Sequence, residues 1–257
     1  YFLTQRKKGL PNYNIDWYNN SQGSCEYLLS RQLSPYTKQH KSNFNKFPGY
    51  GYHINAHEFG NSLRNNIPLD RYTEIKGTIK NVEYDNNGVK NLILDDGSKV
   101  SADLYIDCTG FKRLLINKLT SFNKYERLIN NAAIWGTVEH QSYKPCTVAA
   151  AQDYGWIWET PTWGRIGTGF VYCDDFLSVD DAENHMKKHW RSKGLEWTAD
   201  KSVKFTGGSL DRVAVKNVIA NGLCQSFIEP LESPSIMVIC VTIKSISKLI
   251  NKNKVWG

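Results

Sequence analysis

The sequence has 257 residues, of which 40% are hydrophobic, with a net charge of +7 and a mean hydropathy of −0.49. This length is enough for a sizeable core in one large domain or two modest ones. The longest apolar run near the carboxyl end, Ile236–Val241, is much shorter than the ~18 residues of a membrane-spanning helix, so no membrane segment is predicted.

Residues 1–50 differ from the rest of the chain. They are polar, have weak periodicity and predict a loop-rich segment with one or two short helices. They lack an initiator Met, and their charges follow the first apolar residues instead of preceding them, which is not the pattern of a signal peptide. We therefore expect the chain to begin inside a longer protein and residues 51–257 to form the folded domain.

Hydrophobic periodicity and turn sequences predict the elements of this domain. In chain order they are a helix (Ala56–Asn65), three strands of a meander (Tyr72–Asp85, Val89–Leu94, Lys99–Val100), a strand ending in a small-residue turn (102–111), a helix (Leu114–Leu119), a strand pair (Gly155–Pro161, Arg165–Cys173), an amphipathic helix (Val179–Trp190), a strand (Val218–Gly222), an irregular loop (Gln225–Ser235) and a helix (Ile236–Ile250). The predicted class is α+β, with mixed sheets and packed helices.

Cysteines, histidines and basic residues are dispersed along the chain. The six cysteines form no CxxC pair, which favours a reduced, cytoplasmic protein with buried thiols over a disulfide scaffold or a zinc site. His185 and His189 have a spacing that can bind metal, but no HExxH pattern contains them, so we interpret them as a solvated helix face and predict no metal. Scattered Lys and Arg do not predict a nucleic-acid partner, and a basic surface equally suits an anionic cofactor or a halide.

Two segments carry informative strand patterns. In Asp103–Phe111 a strand ends at Gly110, where a backbone or a flat ligand can approach closely, although a plain tight turn explains the glycine equally well. In Gly155–Pro161, Trp156 and Trp158 are two apart and face the same side of a strand. This predicts either a sheet face packed on its core or a wall that shields a reactive intermediate from water.

A third informative segment, Ser226–Ser235, precedes the last helix. Ser233 is placed to cap that helix, and Pro234 suits its first turn, so backbone N–H groups there point at an anion or a flavin edge. Glu229 and Glu232 are either solvated loop charges or catalytic carboxylates in a pocket, and the residues alone leave both open.

The three segments occur together, in this order, in the flavin-dependent halogenases. Gly155–Pro161 (GWIWETP) resembles their WxWxIP motif with Thr in place of Ile, Asp103–Ile116 (DLYIDCTGFKRLLI) resembles the DLFIDCSGFRSLLI-type stretch of the tryptophan halogenases, and Phe227–Ser233 (FIEPLES) matches their FxEPLES segment. Gly164–Tyr172 (GRIGTGFVY) and His53–His57 (HINAH) are similar to their GRxGTGYVY and HFDAH runs. The resemblance implies an FAD-binding fold of the flavin-monooxygenase type.

The resemblance also implies an FADH2-dependent halogenase that acts on an aromatic, indole-like substrate. In this family reduced FAD and oxygen give a flavin hydroperoxide, a halide attacks it, and hypohalous acid travels through a tunnel to the substrate. A Lys guides the halogen and a Glu assists the substitution. The motif tryptophans keep the flavin site from acting as a monooxygenase, and a separate flavin reductase supplies the reduced FAD.

Site residues are carried over from the family by position. Glu232 matches the catalytic Glu, and Glu229 is expected to be less directly involved. The halide and flavin site is assigned to Ser233, Ser235, Trp156 and Trp158, and further flavin contacts are assigned to Ile79, Gly110, Gly222, Leu223 and Ile236.

Departures from the family pattern bear on activity. The chain has no GxGxxG fingerprint, and no Lys has the neighbours of the family's catalytic Lys, so the dinucleotide-binding unit is incomplete. Ser233-Pro234-Ser235 replaces the usual Ser-Thr-Gly; because Pro234 has no N–H, the halide is expected to bind through Ser233 and the N–H of Ser235, or to be a different halide. The chain is interpreted as a fragment of a longer protein or a reduced relative.

Two alternatives stay open at the level of sequence. One is a flavin monooxygenase of the same superfamily, and the other is a catalytically inactive halogenase remnant. The paired tryptophans favour the halogenase, Pro234 weakens it, and the missing fingerprint and Lys favour the remnant. The substrate, the preferred halide and the oligomeric state, a homo-oligomer included, are not indicated.

Overall fold

The computed structural model describes residues 51–140, 146–229, 231 and 234–254, so the loop-rich segment predicted for residues 1–50 lies outside the described residues. The helices are α1 (Ala56–Asn65), α2 (Val179–Arg191) and α3 (Pro234–Lys254). The strands are β1 (Ile79–Asp85), β2 (Gly88–Leu94), β3 (Lys99–Val100), β4 (Tyr105–Asp107), β5 (Phe122–Lys124), β6 (Ala132–Glu139), β7 (Val148–Gln152), β8 (Gly155–Thr162), β9 (Arg165–Tyr172), β10 (Trp197–Lys204), β11 (Gly208–Leu210), β12 (Ala214–Val215), β13 (Val218–Ala220) and β14 (Ser226–Phe227). None of the helices described is long and apolar enough to cross a membrane.

An antiparallel five-stranded sheet, called the main sheet below, has the strand order β10-β6-β9-β8-β7. Helix α2 packs on one of its faces. The helix begins after Ser178 because that side chain accepts the backbone N–H of Asp181. It buries Ala182, Met186 and Trp190 in a core with the sheet, and each large side chain so buried stabilises the fold by roughly 1.5–3 kcal/mol. The helix therefore fixes one face of the sheet and leaves the other for different contacts.

The opposite face of the main sheet, called the tryptophan face below, carries both tryptophans of the GWIWETP segment. Trp158 pairs across strands with Gly169, and Gly169 pairs with Trp135, so these residues form one row. A Cβ atom on Gly169 would lie 2.2 Å from the Trp158 ring and 2.5 Å from the carbonyl oxygen of Ile134. The glycine thus makes room for the Trp158 ring against the strand.

Three smaller sheets complete the described fold. Strands β1, β2 and β3 form an antiparallel meander, β11 lies between β14 and β5, and β13 lies between β12 and β4. Strands β4 and β13 run parallel. A second core cluster joins the meander to this parallel pair through residues that include Val89, Tyr105 and Val218. The side-chain amide of Asn217 also bonds both backbone groups of Val89, at 2.9 and 2.8 Å.

Most predicted elements are confirmed. Helix α1 has its predicted bounds, and the meander, the β8–β9 pair, α2 and α3 are all present. The first strand begins at Ile79 instead of Tyr72, and α3 already begins at Pro234, in agreement with a proline in its first turn. The α+β class with mixed sheets is therefore confirmed.

The predicted helix at Leu114–Leu119 is wrong, because these residues form hydrogen-bonded turns. The backbone N–H groups of Leu115 and Ile116 donate to the carboxylate of Asp107 instead of to carbonyl groups one helical turn earlier. Strands β6, β7 and β10 have no counterpart among the predicted elements, although they make up three of the five strands of the main sheet.

The interpretation of the two histidines of α2 as a solvated face is also wrong. The His185 ring stacks on Phe170, with centroids 5.0 Å apart, and its Nε2 lies 2.8 Å from the amide oxygen of Gln152. His189 Nε2 lies 3.6 Å from the buried carboxylate of Glu159. Both histidines therefore face the main sheet. Within the described ranges no group of three or more His, Cys, Asp or Glu is placed to hold a metal ion.

The expectation of buried thiols is correct for only some cysteines. Cys173 and Cys224 are buried, whereas Cys108 and Cys240 are exposed. Cys108 follows β4 directly and lies outside the core, because the side chains of this short strand alternate between a buried and an exposed side.

Two glycines of β9 provide a matched test of the tryptophan face. We expect Gly169→Ala to lower the free energy of unfolding by about 1–3 kcal/mol, because the added methyl group displaces the Trp158 ring or the backbone. Gly167→Ala should be tolerated, since the nearest atom to its Cβ position is the carbonyl oxygen of Thr160 at 3.7 Å. Thermal unfolding of both variants measures the difference, and equal melting temperatures for the two would contradict this account of Gly169.

Candidate active site

The three segments singled out from the sequence meet at one aromatic cluster. Phe111 follows the small-residue turn after β4, Phe227 lies in β14, and Phe205 follows β10. The Phe227 ring contacts both other rings edge-on, at centroid distances of 5.2 Å to Phe111 and 4.9 Å to Phe205. Trp156 and Trp158 pack against the same cluster from the main sheet. The structure thus brings together three segments, of which the first and the last are more than a hundred residues apart in sequence.

Trp156 and Trp158 lie on one side of β8, as predicted. Their ring centroids are 6.1 Å apart, and Ile157 between them is fully buried on the other face. Because both rings pack on the aromatic cluster, the interpretation as a sheet face on its core is confirmed. The shielding of a reactive intermediate stays a prediction.

An open cavity of about 420 Å³ lies beside Trp158. The residues lining it include Trp135, Trp158, Thr160, Arg165, His57 and Asp200. The His53 ring ties the HINAH segment to this end of the sheet, with Nδ1 2.7 Å from the carbonyl oxygen of Pro161 and Nε2 3.1 Å from Thr147 Oγ1. A volume of this size suits a small organic ligand.

The segment Ser226–Ser235, with Glu229 and Glu232, is called the acidic segment below. Glu229 attaches it to the tryptophan face. Its Oε2 accepts the indole N–H of Trp156 at 3.0 Å and the side-chain amide N–H of Asn130 at 2.9 Å. Glu229 is half-buried, so it is not a solvated loop charge. Glu232 and Ser233 lie outside the described residues. Ser235 and Ile236 lie in the first turn of α3, where Ile236 is 51% exposed.

Asp107, at the end of β4, has no exposed surface. Oδ2 accepts the backbone N–H groups of Leu115 and Ile116, and Oδ1 accepts the N–H and hydroxyl of Thr109 and lies 3.1 Å from the Cys224 thiol. Burial alone would raise the pKa of Asp107, but the hydrogen bonds from Thr109, Cys224 and Ile116 outweigh it and hold the pKa below its usual value. Burial and the hydrogen bond to Asp107 raise the pKa of Cys224 to about 12.

The ends of the two parallel strands carry the glycines assigned to flavin contact. Gly110 follows β4 with φ 68°, and Gly222 follows β13 with φ 66°, a region that favours glycine. A Cβ on Gly110 would meet no atom within 4 Å, and one on Gly222 would make ordinary contacts with Ile239. The Cys224 thiol lies 3.1 Å from the carbonyl oxygen of Gly110 and joins the two turns. Leu223 belongs to the second turn, so three assigned residues lie together at the carboxyl ends of parallel strands, where nucleotides bind in such sheets.

Ile79 does not join this group. It lies in β1 and packs against the second core cluster, which contains the meander and the parallel pair.

Arg113 is a residue that the sequence patterns missed, because they assigned the region after it to a helix. It has a left-handed backbone, φ 48°, and its guanidinium lies 3.6 Å from the centroid of the Phe122 ring. Its Nε and Nη1 donate to the carbonyl oxygens of Cys224 and Phe111. Within the part of the chain that the structure describes, its buried Nη2 has no hydrogen-bond partner, and burial lowers the pKa of Arg113. Arg113 therefore holds the turn after β4 against the turn after β13.

The chain is similar to known proteins in sequence and in fold. The tryptophan halogenase family model matches residues 1–255. The chain is 32% identical over 230 residues to a 7-chloro-L-tryptophan 6-halogenase of Kutzneria sp. (strain 744), covering 86% of this chain and 43% of that protein. It is 33% identical over 210 residues to a tryptophan 6-halogenase of Streptomyces albogriseolus, covering 77% and 39%. A flavin-dependent halogenase structure from Brevundimonas sp. BAL3 has a TM-score of 0.80 at 27% identity, over 97% of this chain and 51% of that one.

The fold is that of the flavin-dependent halogenases. The chain belongs to the tryptophan halogenase family. It spans about two fifths of the length of the two curated relatives, 43% and 39%.

The buried Asp107 gives a prediction about stability. Asp107→Asn places an amide NH2 against N–H donors, so we expect the free energy of unfolding at neutral pH to fall by about 3 kcal/mol or more. Because the folded-state pKa lies below the unfolded one, the stabilisation is full above the unfolded pKa near ~4 and is lost as pH falls through the folded pKa.

Denaturant unfolding of wild type and variant along an acidic pH series checks both statements. The exposed Asp103→Asn is the control and should match wild type throughout. A difference between wild type and Asp107→Asn that stayed constant down to strongly acidic pH would contradict the proposed source of the stabilisation.

Proposed function

We propose that the protein containing these residues is an FADH2-dependent halogenase that oxidises a halide to hypohalous acid and halogenates an aromatic, indole-like substrate. The observation that carries this proposal is the meeting of the turn after β4, the tryptophan face and the acidic segment at one aromatic cluster. Relatives named as tryptophan halogenases support it, and they do not favour the alternatives of a monooxygenase or an inactive remnant.

The residues at the ends of the parallel strands fit the ring end of FAD. The left-handed Gly110 and Gly222 let a flat ring system approach the backbone, and Gly110 has open space at its Cβ position. We place Leu223 and Ile236 beside them. When bound, reduced FAD would supply two electrons and two protons and activate oxygen, so that halide, oxygen and one further proton yield hypohalous acid and water. Ile79 is the least supported contact, because its side chain packs in the second core cluster.

The remaining assigned residues act around that ring. Trp156 and Trp158 exclude water from the side of the main sheet, which protects an oxidant that water would otherwise disperse. Ser233 and the N–H of Ser235 hold the halide, since the first turn of a helix offers N–H groups without intrahelical partners. Glu232 stabilises the positive charge that develops on the aromatic ring during substitution and takes up its proton.

We place the protein in the cytoplasm and propose a separate flavin reductase as the source of reduced FAD. The free cysteines of the described residues support a reducing compartment.

The direct test has two stages. FAD is first titrated into this chain and into the full-length protein, and flavin fluorescence is followed. The full-length protein is then incubated with FAD, a flavin reductase, oxygen, chloride or bromide, and free tryptophan or indole. We expect a product whose mass shows one halogen in place of one hydrogen. Flavin binding with an oxygenated product would instead support the monooxygenase, and absence of flavin binding by the full-length protein would support the remnant.

A substitution tests the role of Glu232. We expect Glu232→Gln to lower the halogenation rate by about 100-fold or more, because the amide neither carries the charge nor takes the proton. The affinity for FAD should stay unchanged. Glu196→Gln is the control, since Glu196 is exposed and pairs with the exposed Arg191 at the surface. Unchanged turnover in Glu232→Gln would remove this residue from the mechanism.

A further inference from the structure

Glu229 is held by side chains from two other parts of the chain. Trp156 belongs to β8 of the main sheet, and Asn130 lies two residues before β6, so one donor comes from a strand and the other from the loop that leads into a strand. Both donate to the same oxygen, Oε2, at 3.0 and 2.9 Å. The bond between Trp156 and Glu229 spans 73 residues of sequence. A loop carboxylate that accepts N–H groups from two other parts of the chain is a point of attachment for the loop.

Among the residues that the structure describes, no cation pairs with the Glu229 carboxylate. Within the described ranges none of the ion pairs includes Glu229. The carboxylate therefore depends on its two neutral donors. The indole N–H of the partly buried Trp156 finds its partner in a loop side chain instead of a group of the sheet itself.

The chain around Glu229 has a second point of attachment. Phe227, two residues earlier, inserts between the rings of Phe111 and Phe205. The N–H of Leu231 donates to the carbonyl oxygen of Glu229 at 2.9 Å and forms a tight turn. Residues 226–229 are thus held at one end by the pairing of β14 with β11 and the aromatic contact of Phe227, and at the other end by the Glu229 carboxylate. Without the carboxylate contact, only the attachment at β14 and Phe227 remains.

We propose that Trp156 is a positioning residue: its indole N–H, together with the Asn130 amide, fixes Glu229 and thereby holds Phe227–Glu229 against the main sheet. As a statement about catalysis this rests on the proposed function, because Glu232 follows Glu229 by three residues. The two tryptophans of β8 then have different tasks. Trp158 fills the face over Gly169, whereas Trp156 couples the face to the segment that carries the catalytic carboxylate.

Hydrogen exchange of the full-length protein tests the attachment without any assay of activity. Trp156→Phe keeps an aromatic ring but removes the N–H, so we expect the backbone amides of Ile228, Glu229 and Leu231 to exchange on the order of tenfold faster. Glu229→Ala should have the same effect, and the double variant should show little more than either single one. Glu229→Gln keeps an acceptor oxygen and should restore most of the protection.

Trp158→Phe is the matched control for this measurement. It makes the same chemical change two residues away. Among the described residues no hydrogen bond joins Trp158 to Glu229. The amides of Ile228, Glu229 and Leu231 should therefore exchange as in wild type. Exchange in α2 and β9 reports that each variant is folded. Unchanged exchange in Trp156→Phe, or an equal increase in Trp158→Phe, would overturn the proposal.

Kinetics of the same variants connect the attachment to the reaction. We expect Trp156→Phe and Glu229→Ala to lower kcat for halogenation while the affinity for FAD and the KM for the aromatic substrate stay close to wild type. Normal kcat in a Trp156→Phe variant with fast exchange would also overturn the catalytic part. If wild type forms no halogenated product while the exchange pattern appears as expected, the halogenase proposal fails and the attachment stands.

Discussion

The carboxylate of Asp107 is the contact on which the candidate site depends. It lies at the end of a short parallel strand, it is fully buried, and its donors come from the turn that follows the strand and from the Cys224 thiol beyond β13. A buried charge is costly unless its oxygens are all satisfied. The surrounding chain consequently has to wrap around this group, and that requirement shapes both glycine turns.

The two faces of the main sheet have different roles. One face is closed by α2 and contributes stability through a conventional apolar core. The other face packs on the aromatic cluster, and Trp156 joins it to Glu229 of the acidic segment. Because side chains alternate strictly along β8, Ile157 fixes the core face while its two neighbours fix the other. A shift of one residue in the pairing of β8 would exchange these roles.

The sequence predicts those features that depend on neighbours along the chain. Side chains two residues apart in a strand face the same side, which predicts the common side of Trp156 and Trp158. Apolar residues at helical spacing predict α2. The family resemblance is likewise carried by contiguous motifs and is confirmed. The turns after Gly110 could not be predicted in this way, since the apolar residues at 114–119 have helical spacing and only the distant fold places their N–H groups on a carboxylate.

Strands β6 and β10 also could not be predicted from the local sequence, because they depend on contacts with distant residues. β10 is largely polar and exposed, and its extended shape comes from pairing with β6 along the edge of the main sheet. The contact between Asn130 and Glu229 joins residues 99 apart, and no local pattern marks either as a partner of the other. The roles of Ser233 and Glu232 come from the resemblance alone.

The protonation of Cys224 has a consequence for an enzyme of the kind proposed, which would generate a strong oxidant inside its own fold. Thiolates, far more than thiols, are the forms that oxidants attack. A pKa of about 12 leaves almost none of the thiolate at neutral pH, and the buried sulfur is also shielded from solvent. The hydrogen bond from Cys224 to Asp107 thus helps to protect the Cys224 sulfur from oxidation by the hypohalous acid that such an enzyme would form. Cys108, one residue beyond Asp107, and Cys240 are exposed and lack this shielding from solvent.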